Sequence, residues 1–177
     1  MTRFRAVTVL LSCLLSLAAA RAHAVSVWIE PADTSVAVGD SVTLRVVSDG
    51  VPDLKGYQVA HRYDPARLQL VSILAGDLLT TGGDYFAVPL ADVTAPADTA
   101  WLDAAKLVGS ANGPGILAYY RFRTTAKGSA DLECVFVQFR DSENATTIPA
   151  CAGSVVHISG AVPALPRTWG RLKIAYR

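Results

Sequence analysis

The side chains that could perform acid–base catalysis in this chain are 15 acidic residues and three histidines. A glycosidase needs two carboxyl groups that face each other across the sugar. Five aspartates fall instead in turn-forming segments, where Asp bonds to nearby backbone: Asp33, Asp40, Asp49, Asp64 and Asp84. His61 takes an inward position of an alternating segment, as a core or edge histidine does, and no serine lies in a G-x-S-x-G motif. We therefore expect no enzymatic activity.

Cys134 and Cys151 are the two cysteines that remain when residues 1–24, interpreted below as a signal peptide, are removed. An even pair in an exported chain predicts a disulfide, worth about 3 kcal/mol in the chain-entropy model; two buried free thiols are the alternative. There is no C-x-x-C motif, and neither His61 nor His157 lies near a cysteine in the sequence. The spacing therefore predicts no metal site and no redox catalysis.

Oxygen-bearing side chains are concentrated in two short segments. Residues 140–144 place an Asp, a Ser, a Glu and an Asn close together, and Asp49 and Asp53 flank Gly50. Because Ca²⁺ takes about six to eight oxygen ligands, neither segment completes a site alone. We interpret both as solvated turns, so the sequence predicts no cofactor.

Four aromatic residues are candidates for direct contact with carbohydrate: Tyr85, Phe86, Trp101 and Tyr119. An exposed ring can pack on the apolar C–H face of a pyranose. Tyr119 is opposite in phase to Tyr120 and should face outward, whereas Trp101 could face either way. Aromatic residues are also favoured in strands and cores, and the sequence shows no planar row of three.

The elements that must position these residues are strands. Short alternating segments separated by Gly-, Asp- and Pro-containing turns, without an amphipathic helix, predict a sandwich of two antiparallel sheets. We place nine strands, at residues 25–30, 41–48, 54–63, 67–74, 84–90, 99–105, 115–124, 131–140 and 153–159.

Alternation also predicts which side chains face the core. In the third strand Tyr57, Val59, His61 and Tyr63 alternate with polar or small residues and should point inward, as should two further sets: Val42, Leu44 and Val46, and Ile116, Ala118, Tyr120 and Phe122. In the eighth strand the apolar phase slips after Cys134, which predicts a β-bulge near Val135-Phe136.

The chain has a leader, a body and a basic tail. Arg3 and Arg5 precede the apolar residues 6–20, and Ala22-His23-Ala24 fits signal-peptidase cleavage. We therefore predict a signal peptide at 1–24, a single domain at 25–160 and a secreted or cell-surface bacterial protein. Residues 25–160 have nine basic and fifteen acidic residues, a formal charge of −6, which argues against nucleic acid as a partner.

Residues 161–177 have a formal charge of +4 and begin with a Pro-containing linker. Trp169, Leu172 and Tyr176 recur on one face of a possible short helix. We expect these three to contact the acidic body or to act as a sorting tag. The alternative is a disordered terminus.

The segment LKGYQVAHRYDPARLQLV, in which Tyr63-Asp64-Pro65 separates two strands, resembles the third and fourth strands of cohesin domains. The resemblance extends over most of residues 25–159, through the segments VSVWIEPADTSVAVGDSVTLRV, GILAYYRF and RDSENATTIPACAGSVVHI. It implies a nine-stranded jelly-roll sandwich and a non-catalytic extracellular module. Such a module would bind a dockerin or another secreted protein, in association with polysaccharide binding or breakdown.

In cohesins that bind dockerins, an Asn and an Asp lie two residues apart on the outer side of the strand before Tyr-Asp-Pro. Counting back from Tyr63, these positions hold Gly56 and Gln58 here, and Ala60 and Arg62 continue the row. The resemblance thus implies a partner-binding face with different contacts. A direct carbohydrate-binding module that uses the surface aromatics is the alternative.

Overall fold

The long strand β3 (Ser41–Tyr63) takes part in both sheets of the molecule. This computed structural model describes residues 24–89 and 97–160. Residues 41–48 of β3 pair with β1 (Ser26–Glu30) and β7 (Ala111–Thr124), and β7 also pairs with β4 (Leu68–Ala75). We call these four strands the back sheet.

Residues 54–63 of β3 form the centre of the second sheet. They pair with β6 (Thr99–Lys106) on one side and β8 (Gly128–Asp141) on the other, and β6 pairs with the edge strand β5 (Tyr85–Pro89). We call this the front sheet, in the order β5-β6-β3-β8. Between the two parts of β3 the pairing is irregular and Asp53 adopts φ of 51°, which is where the strand passes from one sheet to the other.

Short elements complete the fold. These are β2 (Asp33–Ala37), the one-turn helix α1 (Asp77–Thr80), β9 (Thr146–Thr147), β10 (Ala150–Cys151) and β11 (Ser154–Ser159). The strand β11 pairs antiparallel with the first residues of β8 and parallel with β2, and β10 pairs parallel with β1. The all-β sandwich is confirmed. Eleven strands replace the predicted nine because two of those join into β3 and three short strands lacked a clear alternating signal.

Aromatic contacts between the inner sides of the two sheets hold the core together. Tyr63 meets Phe122 edge to face with ring centroids 5.0 Å apart, and His61 meets Tyr120 in the same manner. The Tyr57 hydroxyl donates to the carbonyl of Leu117 in β7. All five side chains are buried, so the inward positions predicted for the third strand are confirmed. Burial of this aromatic layer supplies much of the hydrophobic stabilisation.

One inward prediction was wrong. Ile116 is only half-buried, whereas Leu117 is fully buried. The register with β3 passes from Val46↔Ala118 to Val47↔Ile116, which leaves Leu117 as an extra residue in β7. This bulge shifts the alternation by one position and turns Ile116 away from the core.

The second bulge was predicted correctly. In β8 the register passes from Ala60↔Phe136 to His61↔Cys134, so Val135 is the extra residue. Cys134 therefore faces His61 on the inner side, while Phe136 pairs with Ala60 on the outer side. Among the described residues no helix has the length and apolar character to span a membrane.

Candidate functional site

The outward side of the front sheet, which we call the front face, brings together the four β3 residues proposed as a binding row. Gly56, Gln58, Ala60 and Arg62 alternate with the buried inner residues and so share one side of the strand. Directly paired residues of antiparallel strands also share a side. Each of the four is therefore flanked by one residue of β6 and one of β8.

An aromatic pair occupies the centre of the front face. Ala60 lies between Trp101 of β6 and Phe136 of β8, and the two rings stack with centroids 5.7 Å apart and an angle of 26°. The methyl side chain of Ala60 is too small to separate them, and it is itself fully buried. Ala60 thus lies on the outer side of β3, and the rings from both neighbouring strands close over it; its part in a binding face stays a prediction.

The aromatic pair also settles the orientation of Trp101, which faces outward, and adds a residue that our sequence analysis missed. Phe136 was not among the candidates, although the bulge predicted at Val135-Phe136 could have indicated it. A bulge places two consecutive residues on one side of a strand, and here it puts the exposed Val135 beside Phe136.

Polar residues lie on both sides of the aromatic pair. The Gln58 amide donates to the Asp103 carboxylate at 2.8 Å, and Gln138 is the other neighbour of Gln58. On the opposite side Arg62 Nη2 lies 2.5 Å from Glu133 Oε2. The hydrogen bond and charge of Glu133 raise the pKa of Arg62. The front face is thus apolar at its centre and hydrogen-bonding at its margins.

The absence of a side chain at Gly56 leaves a depression in the front face. Its volume is about 130 Å³, and its lining includes Gln58, Asp103, Gln138 and Arg140. A Cβ atom at position 56 would lie 3.2 Å from the Ala104 carbonyl oxygen and 3.4 Å from the Ala105 Cβ. Glycine therefore lets β6 approach β3 closely, and polar groups surround the space that remains.

The four carbohydrate candidates do not form a common platform. Trp101 and Phe86 belong to the front face, Phe86 being paired with Ala105 on the exposed edge strand. Tyr85 pairs with Lys106 and so faces the other way. Tyr119 lies in the back sheet, between Arg45 and Leu74, and is half-buried.

Below the front face the structure joins Cys134 and Cys151 in a disulfide, as the sequence predicted. It links β8 to β10, directly before the bulge at Val135. His61 lies against this disulfide, with Nε2 3.8 Å from Cys151 Sγ and Nδ1 3.1 Å from the Tyr120 hydroxyl. Burial lowers the pKa of His61 to about 4, so the imidazole is neutral near pH 7.

The two oxygen-bearing segments considered for calcium come together in space. Asp53 accepts a hydrogen bond from the Ser142 hydroxyl, and hydrogen bonds from Ser110 and Ser142 lower the pKa of Asp53. Asp141 Oδ1 accepts from the backbone amides of Glu143 and Ala145. These carboxylates therefore serve as local acceptors. The expectation that the protein needs no cofactor stays a prediction.

A larger cavity, of about 320 Å³, lies beside α1, away from the front face. Its buried Lys106 donates to the carbonyls of Leu79 and Thr81, and its Asp77 accepts from the Ile116 amide. Both ionic side chains of its lining, Lys106 and Asp77, are therefore already hydrogen-bonded to backbone groups. The leader 1–24, apart from Ala24, and the tail residues Trp169, Leu172 and Tyr176 lie outside the described residues.

Comparison with known families decides what kind of domain carries this face. The family model described as "Cohesin domain" matches residues 27–138, which is well over half of the chain. The chain belongs to the cohesin domain family. Cohesin domains are non-catalytic scaffolding modules, which confirms that the chain is not an enzyme.

Solved structures of cohesins share the fold at low sequence identity. A non-cellulosomal cohesin from Archaeoglobus fulgidus is 15% identical, with a TM-score of 0.63 over 77% of this chain and 92% of that one. The sixth cohesin of scaffoldin B from Acetivibrio cellulolyticus, solved with a Cel5 dockerin, is 16% identical, with a TM-score of 0.63 over 77% and 100% of the two chains.

The cohesin module of a family 33 glycoside hydrolase from Clostridium perfringens is 11% identical, with a TM-score of 0.63 over 77% of this chain and 98% of that one. No curated protein matches the sequence. Identities this low support the fold of this cohesin domain, and its binding chemistry has to be argued from its own residues.

Proposed function

We propose that this cohesin domain is an extracellular scaffolding module that binds a dockerin through its front face. The observation that carries the proposal is the arrangement of that face, where the Trp101–Phe136 pair lies at the centre and hydrogen-bonding groups surround it. Protein interfaces owe most of their affinity to such central aromatic residues, while a polar rim excludes water and sets specificity. Two of the similar structures, from Acetivibrio cellulolyticus and Clostridium thermocellum, are complexes of a cohesin with a dockerin.

The contacts proposed here differ from those implied by the family resemblance. Position 56 has no side chain and instead provides a depression lined by Asp103, Gln138 and Arg140. A partner side chain that carries a donor and an acceptor could enter this depression and bond to the carboxylate and amide there. Specificity would then arise from a space in the cohesin rather than from a protruding Asn.

Two features of the chain, its leader and its disulfide, support the extracellular part of the proposal. The leader has the basic start, apolar middle and Ala22-His23-Ala24 site of a signal peptide, and a disulfide is stable in an oxidising compartment. The test is mass spectrometry of the secreted protein. A mature N-terminus at Val25 is expected, whereas an uncleaved protein retained in the cytoplasm would contradict export.

The binding test uses purified dockerin domains encoded in the same genome as this chain, measured by calorimetry. Truncation of a central aromatic residue commonly costs about 2 kcal/mol or more. We therefore expect Trp101→Ala and Phe136→Ala each to weaken binding by about 30-fold or more. Tyr119→Ala is the matched control, because Tyr119 lies in the back sheet, and it should leave the affinity unchanged.

A glycan array with the same variants tests direct carbohydrate binding, the alternative function. Association with polysaccharide through the protein partner predicts no glycan binding by the isolated domain. Binding to a polysaccharide that disappears in Tyr119→Ala, together with no binding to any dockerin, would overturn the proposal. Dockerin binding that is unaffected by both front-face variants would show that another surface is used.

A further inference from the structure

A histidine and two cysteines meet below the front face and are not needed for the binding proposed above. One nitrogen of His61 and the sulfur atoms of Cys134 and Cys151 all lie within 4.8 Å of one another. His61 is fully buried and both cysteines are half-buried. The sequence predicted no metal site because these residues are far apart along the chain; the fold brings His61 Nε2 of β3 to within 3.8 Å of Cys151 Sγ in β10.

We propose that the folded chain, when Cys134 and Cys151 are reduced, binds one Zn²⁺ ion through His61 Nε2 and the two cysteine sulfurs. Thiolate and imidazole are the ligands that zinc prefers. The site replaces the disulfide, since each sulfur either bonds to its partner or coordinates the metal. The zinc-bound and disulfide-bonded forms therefore exclude each other.

The geometry of the three residues suits tetrahedral zinc. Bond lengths of about 2.3 Å to sulfur and about 2.0 Å to nitrogen place the ligand atoms of such a site less than about 4 Å apart. The distance between His61 Nε2 and Cys151 Sγ already meets this condition. The Cα atoms of the two cysteines are 6.0 Å apart. Rotation of the thiol side chains can therefore separate the two sulfurs without moving the strands.

His61 is also oriented as a metal ligand needs to be. Metal-binding histidines use one ring nitrogen for the metal and hydrogen-bond through the other, which fixes the ring. Here Nδ1 is held at 3.1 Å from the hydroxyl of the fully buried Tyr120, so that Nε2 points toward the sulfurs. Among residues 24–89 and 97–160 only these three residues form the group, so the described part of the chain supplies three of the four ligands that tetrahedral zinc takes.

Zinc binding needs no reductant, because both cysteines of a newly synthesised chain are thiols before the disulfide forms. Binding Zn²⁺ to two thiols and a neutral imidazole releases two protons. When a disulfide-forming oxidant later takes two electrons from the two thiolates, the S–S bond forms and Zn²⁺ leaves. The reduced, metal-bound state therefore precedes the oxidised one, and it holds β8 and β10 together through the same residues.

The experiment compares the oxidised chain with the chain reduced by a phosphine under anaerobic conditions. Circular dichroism first establishes that the reduced chain is folded. Zn²⁺ affinity is measured by competition with a chromogenic chelator, and Co²⁺ serves as a spectroscopic probe. We expect one Co²⁺ per reduced chain, with the visible bands of tetrahedral coordination and a thiolate-to-cobalt charge-transfer band, and no such bands for the oxidised chain.

Variants test the ligand set. Cys151→Ser and His61→Phe should each weaken Zn²⁺ binding by more than about 10-fold, and Tyr120→Phe, which removes only the hydroxyl that orients the ring, by about 10-fold. His157→Ala is the matched control, because His157 lies on the exposed side of β11 and contacts Asp33. It should bind Zn²⁺ like the wild type.

Three results would overturn the proposal: a folded reduced chain without stoichiometric Co²⁺, affinities equal to wild type in Cys151→Ser and Tyr120→Phe, or binding that appears only when the chain is unfolded. If His61→Phe fails to fold, the Tyr120→Phe and Cys151→Ser results decide the question. Dockerin binding by the oxidised chain is independent of every one of these outcomes.

Discussion

The inner and outer sides of residues 54–63 in β3 are made from one strand but follow different rules. On the inner side Tyr57, Val59, His61 and Tyr63 face the back sheet, and every one is buried. Tyr57, His61 and Tyr63 contact residues of β7 across the core. The strict two-residue period of the sequence is sufficient to place these side chains.

On the outer side the residues of β3 acquire their roles from other strands. Ala60 is covered by Trp101 and Phe136, Gln58 bonds to Asp103, and Gly56 leaves a space lined by residues of β6 and β8. No period in β3 indicates these neighbours. The inner side packs the core, whereas the outer side, which is the binding face proposed above, depends on strand register.

The largest expected effect tests this division directly. Tyr57→Ala removes a buried ring and its hydrogen bond to the Leu117 carbonyl, and we expect it to lower the free energy of unfolding by about 3 to 5 kcal/mol. Gln58→Ala, one residue away on the outer side, should change it by less than about 0.5 kcal/mol. Urea denaturation measures both. Similar losses in the two variants would contradict the division.

The next-largest effect is the pH dependence of stability that arises from His61, on the inner side of β3. The pKa of His61 is about 4 in the folded protein and about 6.5 in the unfolded chain. The unfolded state therefore binds the proton more readily between these values, and stability is lost as the pH falls from about 7 to 4. The loss attributable to His61 is about 3 kcal/mol.

Denaturation of the oxidised protein at several pH values, compared with that of His61→Phe, isolates this contribution. The variant should lose less stability on acidification than the wild type. His157→Gln is the control, and its profile should follow the wild type. If the stability of His61→Phe falls with pH as steeply as that of the wild type, the buried imidazole does not cause the loss of stability at low pH.

A smaller effect is expected at the depression in the front face. Gly56→Asn introduces a Cβ atom 3.2 Å from the Ala104 carbonyl oxygen, so the backbone of β6 must give by a few tenths of an ångström. We expect a loss of about 1 kcal/mol, because this overpacking outweighs the gain from replacing glycine in a strand. Gly160→Asn is the matched control, since its Cβ would meet no atom within 4 Å.

The urea midpoints of Gly56→Asn and Gly160→Asn decide whether the spacing between β6 and β3 depends on the glycine at position 56. A loss of stability in the urea midpoint that Gly160→Asn does not share would show that the front face is shaped by the approach of β6 to β3. A Gly56→Asn protein as stable as the wild type would instead show that the depression imposes no constraint on the strand spacing.

The smallest effect is expected at the Arg62–Glu133 pair. Both side chains are more than half exposed, and exposed ion pairs contribute little because water and salt screen them. Arg62→Ala should leave the urea midpoint unchanged, as should the control Glu133→Gln. A clear shift in the midpoint would mean that the outer side also contributes to folding. Any change in dockerin affinity in these variants would report on binding alone.

Much of this fold could be predicted from the sequence, because alternation and turn composition are local signals. The sandwich, the inward residues of β3 and the bulge at Val135 were all predicted correctly. The bulge at Leu117 was not, since Ile116-Leu117-Ala118 is apolar throughout and shows no phase slip. Phe136 was missed as a site residue for a related reason: an outward phenylalanine looks like any core residue until its partner strand is known.

The all-β architecture and the side of β3 that is buried follow from the sequence alone, because a period of two and the spacing of turns require no knowledge of distant residues. The family follows from the resemblance of several segments to cohesin domains. The tertiary structure decided which residues meet. It stacked Trp101 on Phe136 over Ala60, opened the depression at Gly56 and brought His61 to the disulfide. These contacts join residues 35 to 90 positions apart, and they depend on strand order and register, which act through the packing of the whole sandwich.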